Sequence, residues 1–195
     1  MTDARINLTL KLRNLVSRAA IRLIELHFQH VSGIGLQYVH LGEVSLFYDP
    51  SVFTPQTLKE RFAELGFEVL TDPDDAIVEK IRIAAIELIH FANNVNSLIR
   101  NSDYISERLE MPYDKLSRIY SKKTGQTLEQ YLINLKVEKA KELILNNEFS
   151  LSEIAYMLGY SSVQYLSNQF KKTTGVTVSQ FKELPDAHRI PLEDI

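Results

Sequence analysis

Cysteine is absent from this chain of 195 residues. Disulfides, thiolate metal sites, iron–sulfur clusters and cysteine nucleophiles are therefore excluded together. Glycine and proline are scarce, seven and six residues, which argues against a chain built mainly of hairpins and turns and favours helix. Long apolar runs are also missing. The longest is Ile154-Ala155-Tyr156-Met157-Leu158, far short of the roughly 18 residues that suggest a membrane span. Near the start, Asp3, Arg5, Lys11 and Arg13 interrupt the stretch where an export signal must be continuously apolar. The expectation is a soluble, cytoplasmic protein with no membrane partner, in which the sequon Asn7-Leu8-Thr9 is a chance match. What is present is core material: 45% hydrophobic against 24% charged residues argues against intrinsic disorder. The length accommodates two small domains and excludes a large multidomain enzyme.

The net charge of −3 is unevenly distributed. Residues 1–93 carry 9 basic and 12 acidic side chains, whereas residues 94–182 carry 12 basic and 9 acidic. The chain divides near residue 93, and the basic half permits nucleic-acid binding without demanding it.

Ile6, Leu8, Leu10 and Leu12 recur at every second residue, the pattern of a strand with one apolar face. From Ser17 to His30 the period changes to that of a helix, with Ala20, Leu23, Ile24, His27, Phe28 and Val31 inward. After Gly33 and Gly35, Ile34, Leu36 and Tyr38 alternate, Leu41-Gly42 turns the chain, and Val44, Leu46 and Tyr48 alternate again. Thr54-Pro55 supplies an N-cap followed by proline at the first helical position, with Leu58, Phe62 and Leu65 inward. Gly66 stops that helix, and Phe67 and Val69 make a fourth strand. The order reads βαββαβ, the ferredoxin-like arrangement.

Residues 6–70 resemble a heavy-metal-associated domain in these lengths, in Gly33-Ile34, in Tyr48-Asp49-Pro50 and in Gly66-Phe67-Glu68-Val69. That family carries Cys-x-x-Cys at positions which here fall on Ser17 and Ala20, so its thiolates are absent. His27 and His30 lie at the far end of the helix and leave a transition metal short of ligands, so they are read as solvated or core histidines. Neither a metal site nor a cofactor is expected.

Asp72-Pro73-Asp74-Asp75 suits a helix start, with acids at the positive end of the dipole. Ile77, Ile81, Ala84, Ala85, Leu88 and Phe91 follow helical spacing, widened by Val78, Ile83, Ile86 and Ile89. So broad an apolar surface implies burial on more than one side, by packing between domains or by dimerisation.

The C-terminal half contains an internal repeat. Lys122-Lys123-Thr124-Gly125-Gln126-Thr127 matches Lys172-Thr173-Thr174-Gly175-Val176-Thr177 at an offset of fifty residues; Leu116, Ser117, Tyr120, Gln130 and Tyr131 match Leu166, Ser167, Phe170, Gln180 and Phe181. Ile105 and Leu109 match Ile154 and Leu158 at forty-nine, so the second copy has one more turn residue. Each copy reads as a short helix, a turn and a second helix, the helix-turn-helix pattern, with these large apolar residues in the core. Thr127-Leu128-Glu129-Gln130 and Ser150-Leu151-Ser152-Glu153 read as capping boxes. Between them Leu128, Tyr131, Leu132, Leu135, Ala140, Leu143 and Ile144 form the inward stripe of a long joining helix, and Thr177-Val178-Ser179-Gln180 opens a last short one.

Residues 95–184 resemble the DNA-binding domain of the AraC/XylS family of bacterial transcription regulators. The signature lies in Lys136–Ile144, Leu151–Ala155, Leu158–Ser162 and Tyr165–Gly175. The resemblance implies that the second helices, near Tyr113–Thr124 and Val163–Thr174, enter successive major grooves. Base-edge roles would fall on Asp114, Ser117 and Arg118 in the first and on Val163, Gln164, Tyr165 and Asn168 in the second. Arg118 can donate two bonds to guanine, and Gln164 or Asn168 can pair with adenine, each worth about 1–3 kcal/mol in discrimination. Lys122, Lys123, Lys171 and Lys172 suit phosphate neutralisation, which adds affinity without reading sequence. The chain departs from the family pattern in Met111, taken as the N-cap before Pro112 where Ser is usual, in Asn168 where arginine is common, and in Val178 in place of proline. Asp114 repels phosphate unless it accepts from cytosine.

The expected layout is a ferredoxin-like α+β domain over residues 1–72, a connecting helix over 73–94, an all-α double helix-turn-helix domain over 95–184 and a tail over 185–195. The expected function is sequence-specific transcription regulation on double-stranded DNA. The N-terminal module would serve as sensor, homodimerisation surface or protein contact, the connecting helix being the other candidate for a dimer. A metal-responsive switch or metal carrier is the alternative, opposed by the missing thiolates. An enzyme is not expected, for want of a glycine-rich phosphate loop or a nucleophile motif.

Overall fold

The computed structural model describes residues 5–91, 101–184 and 188–195. The expected domain boundaries at 94 and 95, and the tail's start at 185, lie outside the described residues. The chain divides into two compact units, Met1–Ile83 and Ala84–Ile195.

In the first unit, β1 (Ile6–Arg13) is followed by α1 (Arg18–Phe28), β2 (Ile34–His40), β3 (Glu43–Tyr48), α2 (Pro55–Glu64) and β4 (Glu68–Leu70). All pairings are antiparallel, in the order β2-β3-β1-β4. The central strand β1 buries Leu10 and Leu12 beneath Ile24 and Phe28 of α1 and Leu58 and Phe62 of α2. The Phe28 and Phe62 rings meet at 5.0 Å, and each buried side chain of this size contributes about 1.5–3 kcal/mol. Thr54 caps α2, Pro55 occupies its first turn and Thr57 completes the capping box. Gly33 takes φ 87° where a Cβ would stand 3.2 Å from the Phe53 ring, a turn that only glycine makes without strain.

Two side chains expected inward, Leu23 and Tyr38, point elsewhere. Leu23 of α1 is 45% exposed, as is Leu26 at 51%; the core face of α1 is centred on Ile24 and Phe28, with Ala20 and Ile21 packed beside them, because an amphipathic helix turns one stripe to the sheet. In β2 the strict alternation fails at a bulge: Leu36 pairs with Leu46, Tyr38 with Ser45, and Gln37 is the extra residue. The bulge turns Tyr38 away from the core, where its hydroxyl donates to Glu43 and its ring stacks on His40 at 4.7 Å. Val39 takes its place against the core.

Asp72 accepts the Asp74 backbone N–H at 2.8 Å as the chain enters α3 (Pro73–Ile86), whose last turn continues as a π-helical turn, Glu87–Phe91. The division between units falls inside α3. Glu79 of α3 is buried in the first unit and accepts the backbone N–H of Asn14 at 2.9 Å; burial raises its pKa, with Arg82 opposing. Beyond α3, His90 has no hydrogen-bond partner at Nε2. Burial lowers its pKa to about 4, so it is neutral at pH 7.

The second unit contains α4 (Asn101–Leu109), α5 (Tyr113–Thr124), α6 (Leu128–Asn146), α7 (Leu151–Met157), α8 (Val163–Thr174) and α9 (Val178–Glu183). Both apolar copies of the repeat are inward: Ile105, Leu116 and Tyr120 in the first, and Ile154, Leu158, Leu166 and Phe170 in the second, are buried. Leu109, expected in the core, is only half-buried. Along α6, Leu128, Tyr131, Leu132, Leu135, Ala140, Leu143 and Ile144 are buried as a continuous stripe. The helix also buries a charged pair, Lys141 to Glu138 at 2.6 Å. Glu138 further accepts the Ile190 backbone N–H at 2.9 Å, while Arg189 pairs with Glu142 at 2.9 Å. A buried carboxylate so hydrogen-bonded is satisfied as well as neutralised.

Candidate nucleic-acid interface

Helix α5 is fixed by Leu116 and Tyr120, whose ring lies 5.2 Å from Tyr131 of α6. That leaves Asp114, Arg118 and Lys122, at successive i, i+4 positions, exposed on the opposite side, with Ser117 and Lys123 half-buried beside them. The Arg118 Nε donates to the Asp114 backbone carbonyl at 3.2 Å, so the side chain lies along the helix. Asp114 sits in the first helical turn, where its charge also complements the dipole.

Helix α8 is held the same way by Leu166 and Phe170, and Phe170 meets Phe181 of α9 at 5.4 Å. Gln164, Asn168, Lys171 and Lys172 are exposed along one face. The Gln164 side-chain amide donates to the Asn168 carbonyl oxygen at 3.0 Å, which aligns the two amides one turn apart. Tyr165 is 54% exposed and meets Tyr160 edge-on at 5.8 Å. Val163 packs against the apolar core of this half and is half-buried. Lys122, Lys123, Lys171 and Lys172 occupy the last turns of their helices, where positive charge also suits the carbonyl end of the dipole.

Both helices end alike. Gly125 and Gly175 take φ 76° and 82°, and the Thr124 and Thr174 hydroxyls donate to the Tyr120 and Phe170 carbonyls at 2.9 and 2.8 Å. They begin differently, and here the sequence expectations need correction. The N-cap of α5 is Pro112, not Met111, because the Pro112 carbonyl accepts the first helical bonds, from Lys115 at 3.0 Å and Leu116 at 3.2 Å. Proline has no side-chain acceptor, so this end carries no cap bond. Ser162 caps α8 by accepting from the Tyr165 N–H at 3.1 Å. The expected capping box at Thr127 is half-formed: Thr127 accepts from the Gln130 N–H, but the Gln130 side chain donates to Asn134 at 2.8 Å instead of returning. In the second copy Leu184 stands at the position of Asn134 and cannot compete, and Gln180 closes the box on Thr177 at 2.8 Å. The box at Ser150 and Glu153 forms as expected.

Sequence patterns missed other polar features. The Tyr113 hydroxyl donates to Glu129 at 3.0 Å, tying the starts of α5 and α6, and burial with this bond raises its pKa. Lys136 of α6 places its ammonium 5.5 Å from the Tyr160 ring centroid. Glu110 takes a left-handed φ of 53°. Its alignment with Gly159 in the repeat is the signal that could have found it.

A family model described as a helix-turn-helix domain matches residues 105–183. Residues 105–183 form a DNA-binding domain of the AraC/XylS type. Over 118 residues, 60% of this chain, the sequence is 25% identical to the xylose operon regulatory protein of Escherichia coli K12. Over 83 residues, 43% of the chain, it is 32% identical to the HTH-type transcriptional activator RhaS of Escherichia coli O1:K1. The alignments span only 28% of the length of either relative. The C-terminal domain of AraT, a response regulator from Geobacillus stearothermophilus, is 30% identical, with 60% of this chain and 94% of that one covered at a TM-score of 0.46.

Ser17 and Ala20, where the sequence resemblance would have put thiolates, are joined in the cap of α1. Ser17 caps α1, its hydroxyl accepting the Ala20 N–H at 3.1 Å. Among the described residues no three His, Cys, Asp or Glu side chains gather to hold a metal ion. No helix among them is long and apolar enough to cross a membrane.

Proposed function

We propose that this chain is a sequence-specific transcription regulator whose residues 95–184 bind double-stranded DNA through two helix-turn-helix units in successive major grooves. The observation that carries this reading is the doubled arrangement itself: two second helices pinned by the same apolar pair, each with an exposed stripe opposite. In α5 the base-reading side chains are Asp114, Ser117 and Arg118. In α8 they are Gln164, Tyr165 and Asn168, with half-buried Val163 limited to an apolar contact such as a thymine methyl. Lys122, Lys123, Lys171 and Lys172 neutralise phosphates.

The N-terminal unit is a ferredoxin-like module of the heavy-metal-associated kind that has lost its thiolates and serves as sensor, homodimerisation surface or protein contact. Its element and strand order support the first part. The exposed Leu23 and Leu26 support a contact role over metal carriage. The connecting helix, residues 73–94, joins the two functions.

Footprinting of the full chain on genomic fragments, with anisotropy titrations, tests the reading. The expected result is discrete protected sites about two helical turns long. Equal affinity for every fragment, with no protection, would overturn sequence-specific regulation.

A further inference from the structure

Three lysines lie along α6, and two are neutralised within the fold. Lys139 pairs with Glu142 at 2.5 Å and Lys141 with Glu138 at 2.6 Å. Lys136 has no carboxylate partner among the described residues; its contact is the Tyr160 ring, 5.5 Å from the ammonium. The side chain is half-buried, and desolvation alone lowers its pKa. An ammonium withdrawn from water without a counter-charge is costly to keep, and a cation–π contact offsets only part of that cost.

The ammonium lies at the turn between α7 and α8. A Cβ built on Gly159 would stand 3.8 Å from it, with φ at 69°. A larger side chain at this position would therefore sit over the charge, and glycine leaves it uncovered. The Tyr160 ring beneath the ammonium also meets Tyr165 in the first turn of α8 at 5.8 Å. The cation is thus coupled, through two rings, to the helix that carries Gln164 and Asn168.

We propose that Lys136 contacts a backbone phosphate of the bound duplex, reaching it from α6 past Gly159 and so fixing the depth at which α8 enters the groove. The proposal rests on the DNA-binding function above. Its ligand is one phosphodiester oxygen, which accepts a charge-assisted hydrogen bond from the ammonium. Without DNA, the Tyr160 ring holds the cation in place.

The test is a salt series with the full chain on a footprinted site and on an unrelated duplex, comparing wild type, Lys136→Met and Lys136→Arg. Loss of one phosphate contact should weaken both duplexes by the same factor and lower the slope of log Kobs against log salt by about 0.9, with the arginine variant retaining the wild-type slope. Methylphosphonate substitution of single phosphates provides a second readout. One neutralised position should weaken wild type and leave Lys136→Met unaffected, and should weaken wild type even if the methionine variant fails to fold. Wild-type DNA that tolerates every neutral position flanking α8, or a folded Lys136→Met with an unchanged slope, would overturn the phosphate contact while leaving DNA binding intact. A wild-type chain that binds no duplex would overturn the parent function and this contact together.

Discussion

In the first helix-turn-helix unit three residues, Glu110–Pro112, separate α4 from α5; in the second, residues 158–162 separate α7 from α8. The first turn places a glutamate in the left-handed region and starts its helix on an uncapped proline; the second places Gly159 there and starts on Ser162. At the other end the copies coincide, down to the glycine cap and the threonine bond to the carbonyl four residues back. The apolar pairs pack each helix into the core of its half, and the C-caps close both helices in the same way. The N-terminal turn, where a helix-turn-helix meets DNA, is where the copies have diverged.

The shared skeleton should break symmetrically and with the largest effect. Tyr120→Ala and Phe170→Ala each empty a fully buried site, at a cost of about 3–5 kcal/mol. Urea denaturation of the full chain should show similar losses for the two; a loss under about 1 kcal/mol for either would mean that the copies do not share one load.

DNA reading should break asymmetrically. Gln164→Ala and Asn168→Ala should each cost about 1–3 kcal/mol on the preferred site and little on random duplex. Lys172→Ala should weaken all sequences alike and lower the salt slope by about one unit. Competition titrations across salt separate the two patterns, and a swap of patterns would show that α8 is oriented wrongly for base reading.

The same asymmetry explains how much was legible in the sequence. Periodicity located the four strands, the helices and the repeat, because each is dictated by apolar spacing that burial enforces; Leu166 and Phe170 had no other place to go. The site residues came instead from the resemblance to the AraC/XylS pattern, and the inward face added only that Asp114, Arg118, Gln164 and Asn168 lie opposite it. What was not legible depended on competition between near-equal local partners. Gln130 could return to Thr127 or reach Asn134, and only the geometry decides. Pro112 could be the first helical residue or the cap. The bulge at Gln37 hid behind a pattern of alternating residues that one inserted position reverses. The Lys136 contact joins elements distant in sequence and leaves no periodic trace.

Capping should separate the units by a smaller amount. Ser162→Ala removes the acceptor for the Tyr165 N–H and should cost about 1 kcal/mol, within the usual range of 0.5–2. Pro112 offers no such bond, so hydrogen exchange should find the first turn of α5 less protected than that of α8 in the wild type. After Ser162→Ala the two should converge. Greater protection at α5 from the outset would mean that the Tyr113–Glu129 bond replaces the missing cap.

The smallest effect is the most diagnostic of the turns. Glu110 is held at φ 53° and Gly159 at φ 69°, aligned positions after the first helix of each unit. A side chain in the left-handed region costs of order 1 kcal/mol, and glycine removes that strain while adding disorder to the unfolded chain. Glu110→Gly should therefore stabilise the protein by about 0.5–1 kcal/mol, the strain relief exceeding the entropic loss. Gly159→Ala should destabilise by about 1 kcal/mol, although a Cβ there has room, its nearest neighbour being the Lys136 ammonium at 3.8 Å. Thermal unfolding of both variants checks the pair. If Glu110→Gly instead loses stability, the glutamate does more for the first turn than occupy a strained position, and the equivalence of the two turns fails at the one residue on which it most depends.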